Sequence, residues 1–158
     1  MGAIKLIIQL CLLGFLLAST GCSSAPEEEI PALRLRAIVI EAEPGANGNN
    51  PIAVDFVFIY DKSMRQQVAG ITAADWFQRR DQFKRDFPAG FRSWSWEVVP
   101  GQRIARTHIP RQVRHDDVIA SFVLARYYTL GDHRARILED TEILVKLGQQ
   151  DFTLKAAK

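Results

Sequence analysis

Cysteine is scarce in this sequence, which has only Cys11 and Cys22 among 158 residues. Cys11 lies in an apolar N-terminal run, and removal of that run as a signal would leave Cys22 as the one cysteine of the mature chain. A single cysteine cannot form an internal disulfide framework. If Cys22 is engaged elsewhere, the mature chain also has no thiol nucleophile for catalysis.

An excess of charge of one sign is also lacking. The chain has 20 Lys and Arg residues against 18 Asp and Glu residues, and Lys5 is the only one of these within residues 1–21. Without that segment, 19 basic residues face 18 acidic ones. A nucleic-acid-binding surface needs a basic excess to displace phosphate counterions, so we do not expect nucleic acid as a partner.

Motifs of enzyme active sites are absent. The sequence has no G-x-S-x-G elbow and no glycine-rich phosphate loop ahead of a helix. Of the histidines His108, His115 and His133, only His115 stands beside acidic residues, Asp116 and Asp117. Adjacent side chains on a strand point to opposite faces, so these do not converge on a metal ion. We predict no catalytic residue, no metal, no cofactor and no small-molecule substrate.

The N-terminus contains a short apolar run that ends in small residues. Lys5 precedes the run from Leu6 to Leu17, which has the length of a signal-peptide apolar region and is short for a membrane span. Residues 18–21 are small, as signal cleavage requires, and Cys22 follows them directly. The arrangement resembles a bacterial lipoprotein signal, whose cysteine is lipidated. The alternative is an ordinary secretory signal cut nearby, which would leave Cys22 as a free thiol.

A polar segment separates Cys22 from the rest of the chain. Residues 23–31 read SSAPEEEIP, which cannot bury apolar area and predicts a flexible tether. Ser23, rather than Asp, follows the cysteine, as in lipoproteins sorted to the outer membrane of Gram-negative bacteria. We therefore predict a signal peptide in residues 1–21, lipidated Cys22 and its tether in 22–32, and one domain in 33–158.

The predicted domain consists mainly of short strands separated by turn formers. Residues 92–99 show the pattern most clearly, with Trp94 and Trp96 on one face and Ser95 on the other. Residues 52–61 alternate similarly, with Asp55 and Asp61 on the polar face. Further strands are predicted in 34–43, 102–110 and 117–128 and in three segments after residue 132. About eight strands at this spacing favour a β-sandwich.

One helix interrupts the strands. Residues 72–88 begin with Thr72 and Asp75 in a capping-box arrangement, and Pro88 ends the helical pattern. Trp76 and Phe83 share one helical stripe, which predicts an amphipathic helix lying across the sandwich. The fold class is therefore all-β with an inserted helix.

With these elements placed, the chain resembles the TssJ family, the outer-membrane lipoproteins of bacterial type VI secretion systems. The resemblance rests on the order of weak motifs: the lipoprotein cysteine and tether, the strand LRAIVIEAE, an Asn/Gly loop closed by Pro51, and the strand IAVDFVFIYD. Three further motifs follow in the same order: AADWF at a helix start, the VVPGQ stretch, and a late apolar strand before a terminal hairpin.

The resemblance implies a transthyretin-like β-sandwich of about eight antiparallel strands, anchored by lipid to the outer membrane and facing the periplasm. It also implies binding to the periplasmic region of TssM, an inner-membrane protein, without any reaction. In that family the loop after the first strand contacts TssM, and the matching residues here are Gly45, Ala46, Asn47, Gly48, Asn49 and Asn50. By composition this stretch is a projecting turn with spare hydrogen-bonding groups, or a plain strand connection.

A different class of function remains open on the sequence. A periplasmic lipoprotein of this kind could bind or act on a glycan or lipid between the helix and a sheet. Solvent-exposed indoles among Trp76, Trp94 and Trp96 would favour that alternative.

Overall fold

The computed structural model describes residues 35–113, 117–138 and 141–157. The predicted signal peptide, lipidated Cys22 and its tether lie outside the described residues, as do His115 and Asp116. Among the helices that are described, none is long and apolar enough to cross a bilayer.

The described chain forms eight strands, two longer helices and a short helical turn at Ala46–Asn49. The strands are β1 (Ala37–Ala42), β2 (Ile52–Ile59), β3 (Phe91–Val98), β4 (Arg103–His108), β5 (Ala120–Ala125), β6 (Arg134–Ile137), β7 (Glu142–Leu147) and β8 (Phe152–Ala156). The helices are α1 (Lys62–Ala69) and α2 (Ala73–Asp86), both between β2 and β3, and a 3-10 turn spans Arg111–Val113.

The strands form two four-stranded sheets. Sheet A has the order β4-β1-β7-β8, and sheet B has the order β3-β2-β5-β6. Five of the described strand pairs are antiparallel, whereas β1 and β7 are parallel, with Ala37 opposite Glu142 and Ala42 opposite Leu147. The predicted β-sandwich is confirmed, but a wholly antiparallel arrangement is wrong. Parallel pairing is possible here because about a hundred residues connect β1 to β7, far more than a crossover requires.

The main core lies between the two sheets. Phe56 and Phe58 of β2 are fully buried there against Ile38, Ile40 and Val145 of sheet A. β5 is buried along its whole length, in keeping with its unbroken apolar sequence and its place inside sheet B. Burial of large apolar side chains of this kind contributes about 1.5–3 kcal/mol each.

A second core covers the outer face of sheet B. Val57 and Ile59 of β2 lie there beneath Met64 of α1 and beneath Trp76 and Phe83 of α2. The polar outer face predicted for β2 is therefore wrong, because two helices cover it and the strand is buried on both faces.

The sequence predicts only one of the two helices. α2 begins with the predicted capping box: the Thr72 hydroxyl accepts a hydrogen bond from the Asp75 amide at 3.1 Å, and the Asp75 carboxylate accepts one from the Thr72 amide at 3.3 Å. α1 was not predicted. It has only 8 residues, and its two buried side chains, Met64 and Val68, lie one helical turn apart, so its periodic signal is shorter than that of the 14-residue α2.

The tryptophans of β3 point into the main core, as their alternation predicts, but they are only half-buried. β3 is the edge strand of sheet B, so neighbouring side chains cover these rings on one side only. The Trp94 ring lies 6.0 Å from that of Phe56 and 5.3 Å from that of Trp96. Ser95 is exposed on the opposite face, which confirms the register of the strand.

Candidate partner-binding surface

Four connections meet at one end of the sandwich. They are residues 43–51 between β1 and β2, 99–102 between β3 and β4, 126–133 between β5 and β6, and 148–151 between β7 and β8. We call this surface the loop end. It includes the Asn/Gly stretch 45–50 that the sequence singles out.

The Asn/Gly stretch is more ordered than a projecting turn. Gly45, Asn47, Gly48 and Asn49 all have positive φ, at 79°, 51°, 60° and 66°. Glycine and asparagine tolerate this left-handed conformation better than other residues, which explains why the segment consists of them.

The Asn/Gly stretch projects only at its tip. Ala46 and Asn47 are buried, Gly45 and Asn50 are half-buried, and only Gly48 and Asn49 form an exposed tip.

Asn47 connects the stretch to its neighbours. Its side-chain amide donates a hydrogen bond to the Pro51 carbonyl at 3.2 Å, and its side-chain oxygen accepts one from the Tyr128 amide at 2.8 Å. Its backbone amide donates to the Gly148 carbonyl at 3.2 Å. Three of the four connections are thereby joined through one buried side chain and its backbone.

A second group of contacts joins 126–133 to 148–151. The Tyr127 hydroxyl donates to the Asp151 carbonyl at 3.1 Å, and burial, assisted by the Asp151 charge, raises the pKa of this hydroxyl. His133 Nδ1 lies 3.0 Å from the Asp151 carboxylate and His133 Nε2 lies 2.9 Å from the Thr129 carbonyl. The Thr129 hydroxyl donates to the Gln150 carbonyl at 2.7 Å. Together with the hydrogen bond that the Gly101 amide donates to the Glu43 carbonyl at 3.2 Å, these bonds join all four connections into one surface.

Exposed apolar side chains are concentrated on this surface. Of the large hydrophobic side chains exposed in the described structure, Leu130 is fully exposed, Tyr128 is 77% exposed and Val99 is 49% exposed, all at the loop end. The fourth, Leu138, is 58% exposed beyond β6 at the opposite end. The sequence does not single out Val99, Tyr128 or Leu130 as surface residues, because isolated apolar residues in turns carry no periodic signal.

The tryptophans do not form an open aromatic site. Trp76 is fully buried, and its indole nitrogen donates to the Asp55 carboxylate at 2.8 Å. Trp94 and Trp96 are half-buried in the sandwich, and the indole nitrogen of Trp96 is buried without a hydrogen-bond partner. The exposed indoles that would favour a glycan site or a lipid site are therefore not observed. Within the described residues, no cluster of His, Cys, Asp and Glu is arranged to hold a metal.

No family model matches this sequence, and no curated protein matches it. Solved structures do match. The type VI secretion lipoprotein TssJ1 from Pseudomonas aeruginosa superimposes with a TM-score of 0.58 at 16% identity, over 81% of this chain and 98% of that one. Serratia marcescens Lip, a membrane-bound component of the type VI secretion system, gives 0.56 at 15% identity, over 75% and 95%. This chain has the TssJ fold.

A further match involves TssM. A chain in the structure of the TssM C-terminal domain from EAEC gives a TM-score of 0.52 at 13% identity, over 78% of this chain and 100% of that one. The TssJ resemblance seen in the sequence is thus confirmed at the level of fold. In this TssJ-like sandwich, the Asn/Gly stretch follows the first strand, as the resemblance implies.

Proposed function

We propose that this chain is an outer-membrane lipoprotein of a type VI secretion system that binds the periplasmic region of a TssM-like inner-membrane protein. In this role it is a structural link and performs no reaction. The observation that carries the proposal is the loop end, where three of the four large apolar side chains exposed among the described residues lie on a hydrogen-bonded surface. Exposed apolar patches on an otherwise soluble domain mark interaction sites.

The position of the chain's entry into the domain supports this role. Leu35 precedes β1 at the end opposite the loop end, and the six residues of β1 span about 20 Å between the two ends. A tether from Cys22 to Leu35 reaches at most about 45 Å when extended. A domain held this way presents the loop end away from its anchor, toward the periplasm.

Anchoring through Cys22 is the first testable part of the proposal. A Cys22→Ala variant should lose fatty-acid label and move from the membrane fraction to the soluble periplasmic fraction, because the remaining contacts give no stable membrane attachment. Fatty-acid label that persists in this variant would contradict lipidation at Cys22.

Partner binding through the loop end is the second testable part. Leu130→Glu should lower the affinity for the purified periplasmic region of the TssM-like protein by about tenfold or more, since a charge would be desolvated at the centre of the contact. Leu138→Glu is the matched control at the opposite end and should bind normally. Equal affinities for the two variants would remove the loop end from the interface.

A further inference from the structure

A groove lies beside the Asn/Gly stretch, between the first turn of α2 and the segment that follows β5. It has a volume of about 580 Å³ and is lined by Ala74, Phe77, Gln78, Arg126, Tyr127 and Tyr128. That size falls within the range of ordinary ligand sites, about 300–1,000 Å³. Three of its six lining residues are aromatic, and Tyr128 at its rim is largely exposed.

Hydrogen bonds donated by backbone amides hold both walls of the groove in place. The Arg126 amide donates to the Ala53 carbonyl at 2.8 Å, and the Tyr128 amide is held by the side chain of Asn47. On the other side, the Ala73 amide at the start of α2 donates to the Asp132 carbonyl at 2.7 Å. A partner that enters this groove therefore does not have to order it, which lowers the cost of binding.

The charges around the groove favour one kind of partner. The acidic side chains near the groove already have partners: Glu43 lies 2.9 Å from Lys146, Asp132 lies 3.8 Å from Arg134, and Asp151 lies 3.0 Å from the His133 ring. The Asp75 carboxylate, in the first turn of α2, accepts hydrogen bonds from Thr72. The Arg126 side chain is exposed and forms no ion pair with any described residue. The charge left available at the groove is therefore positive.

We propose that this groove receives a segment of the TssM-like partner in which an apolar side chain stands next to an acidic residue. The apolar side chain packs between Phe77 and Tyr128, and the acidic residue pairs with Arg126. This inference rests on the proposed function and extends the contact surface from the Asn/Gly stretch to the helix side of the domain.

The test compares variants of the mature chain, with Cys22→Ala to keep it in solution, for affinity to the purified periplasmic region of the TssM-like protein. Arg126→Glu and Tyr128→Ala should each weaken binding by about tenfold or more, and Arg126→Glu should also reduce its salt dependence. Arg111→Glu and Leu138→Ala are matched controls, exposed at the opposite end, and should bind like the parent chain. Thermal unfolding checks that each variant is folded.

The outcomes separate the two proposals. If the parent chain binds and both groove variants bind equally well, the groove inference is overturned and the proposed function stands. Loss of binding in only one of the two groove variants also overturns it, because the proposed segment needs both contacts. If the parent chain itself does not bind, the proposed function fails and the groove inference fails with it. Tighter binding after removal of residues 23–32 would show that the chain's own acidic tether occupies the groove, which contradicts a partner segment as its occupant.

Discussion

Asp55 shows how much a single residue can differ from its sequence-based interpretation. The alternating sequence of β2 places Asp55 on a polar face of the strand. In the structure its side chain lies beneath α2 and is only 1% exposed. Its carboxylate accepts hydrogen bonds from the Trp76 indole at 2.8 Å and from the Arg80 guanidinium at 3.0 Å. A buried carboxylate is tolerated only with such partners, so this contact fixes where α2 sits on sheet B.

Removal of one partner from this contact should be costly. Arg80→Ala leaves the Asp55 charge buried with the indole as its remaining donor, and we expect it to lower the free energy of unfolding by about 3 kcal/mol or more. Asp55→Asn keeps an acceptor for Trp76 and should cost less. The measurement is the urea midpoint at unchanged m-value.

A surface ion pair on the same helix provides the control. Lys84 lies 3.2 Å from Asp81, with both side chains more than half exposed, so Lys84→Ala should cost under about 1 kcal/mol. If Arg80→Ala were no more destabilising than Lys84→Ala, the Asp55 contact would not hold the helix in place.

At the scale of elements, the sequence predicts a helix or strand correctly where residues close together in the chain determine its structure. The capping box of α2 depends on Thr72 and Asp75 alone, and the alternation in β3 fixes which residues face the core. Both could be predicted because their determinants lie within a few residues of each other.

Elements whose form depends on distant contacts could not be predicted in this way. β2 is buried on both faces only because α1 and α2 fold back over it, and the periodic signal of α1 is short. The Asn/Gly stretch could be located by composition, but the burial of Asn47 depends on Tyr128, 81 residues away. The parallel pairing of β1 with β7 likewise depends on long-range topology.

Because part of the Asn/Gly stretch is buried, its deletion is a poor test of partner binding. Deletion of residues 46–49 would remove buried Ala46 and the hydrogen bonds of Asn47 together with the exposed tip. Loss of binding would then mix a folding defect with a lost contact. Substitution of exposed side chains such as Leu130 avoids this difficulty.

At the scale of the whole molecule, the two ends of the sandwich have different roles in our account. The chain enters the described domain at Leu35, beside the start of β1, while the loop end lies at the other end of the same strand. The loop end also contains every described residue with positive φ, including His133 and Gly131. Only Asn47, Asn49 and His133 among them are not glycine, and all three lie in the turns of the loop end.

The most direct test of this account is photo-crosslinking in cells that produce the full-length protein. A photoreactive amino acid at position 130 should crosslink to the inner-membrane TssM-like protein, because Leu130 is fully exposed at the centre of the proposed contact. The same group at position 138, at the opposite end, should give no such product. Crosslinking to the TssM-like protein from position 138 but not from position 130 would contradict the account, since it would place the partner at the end where the tether enters.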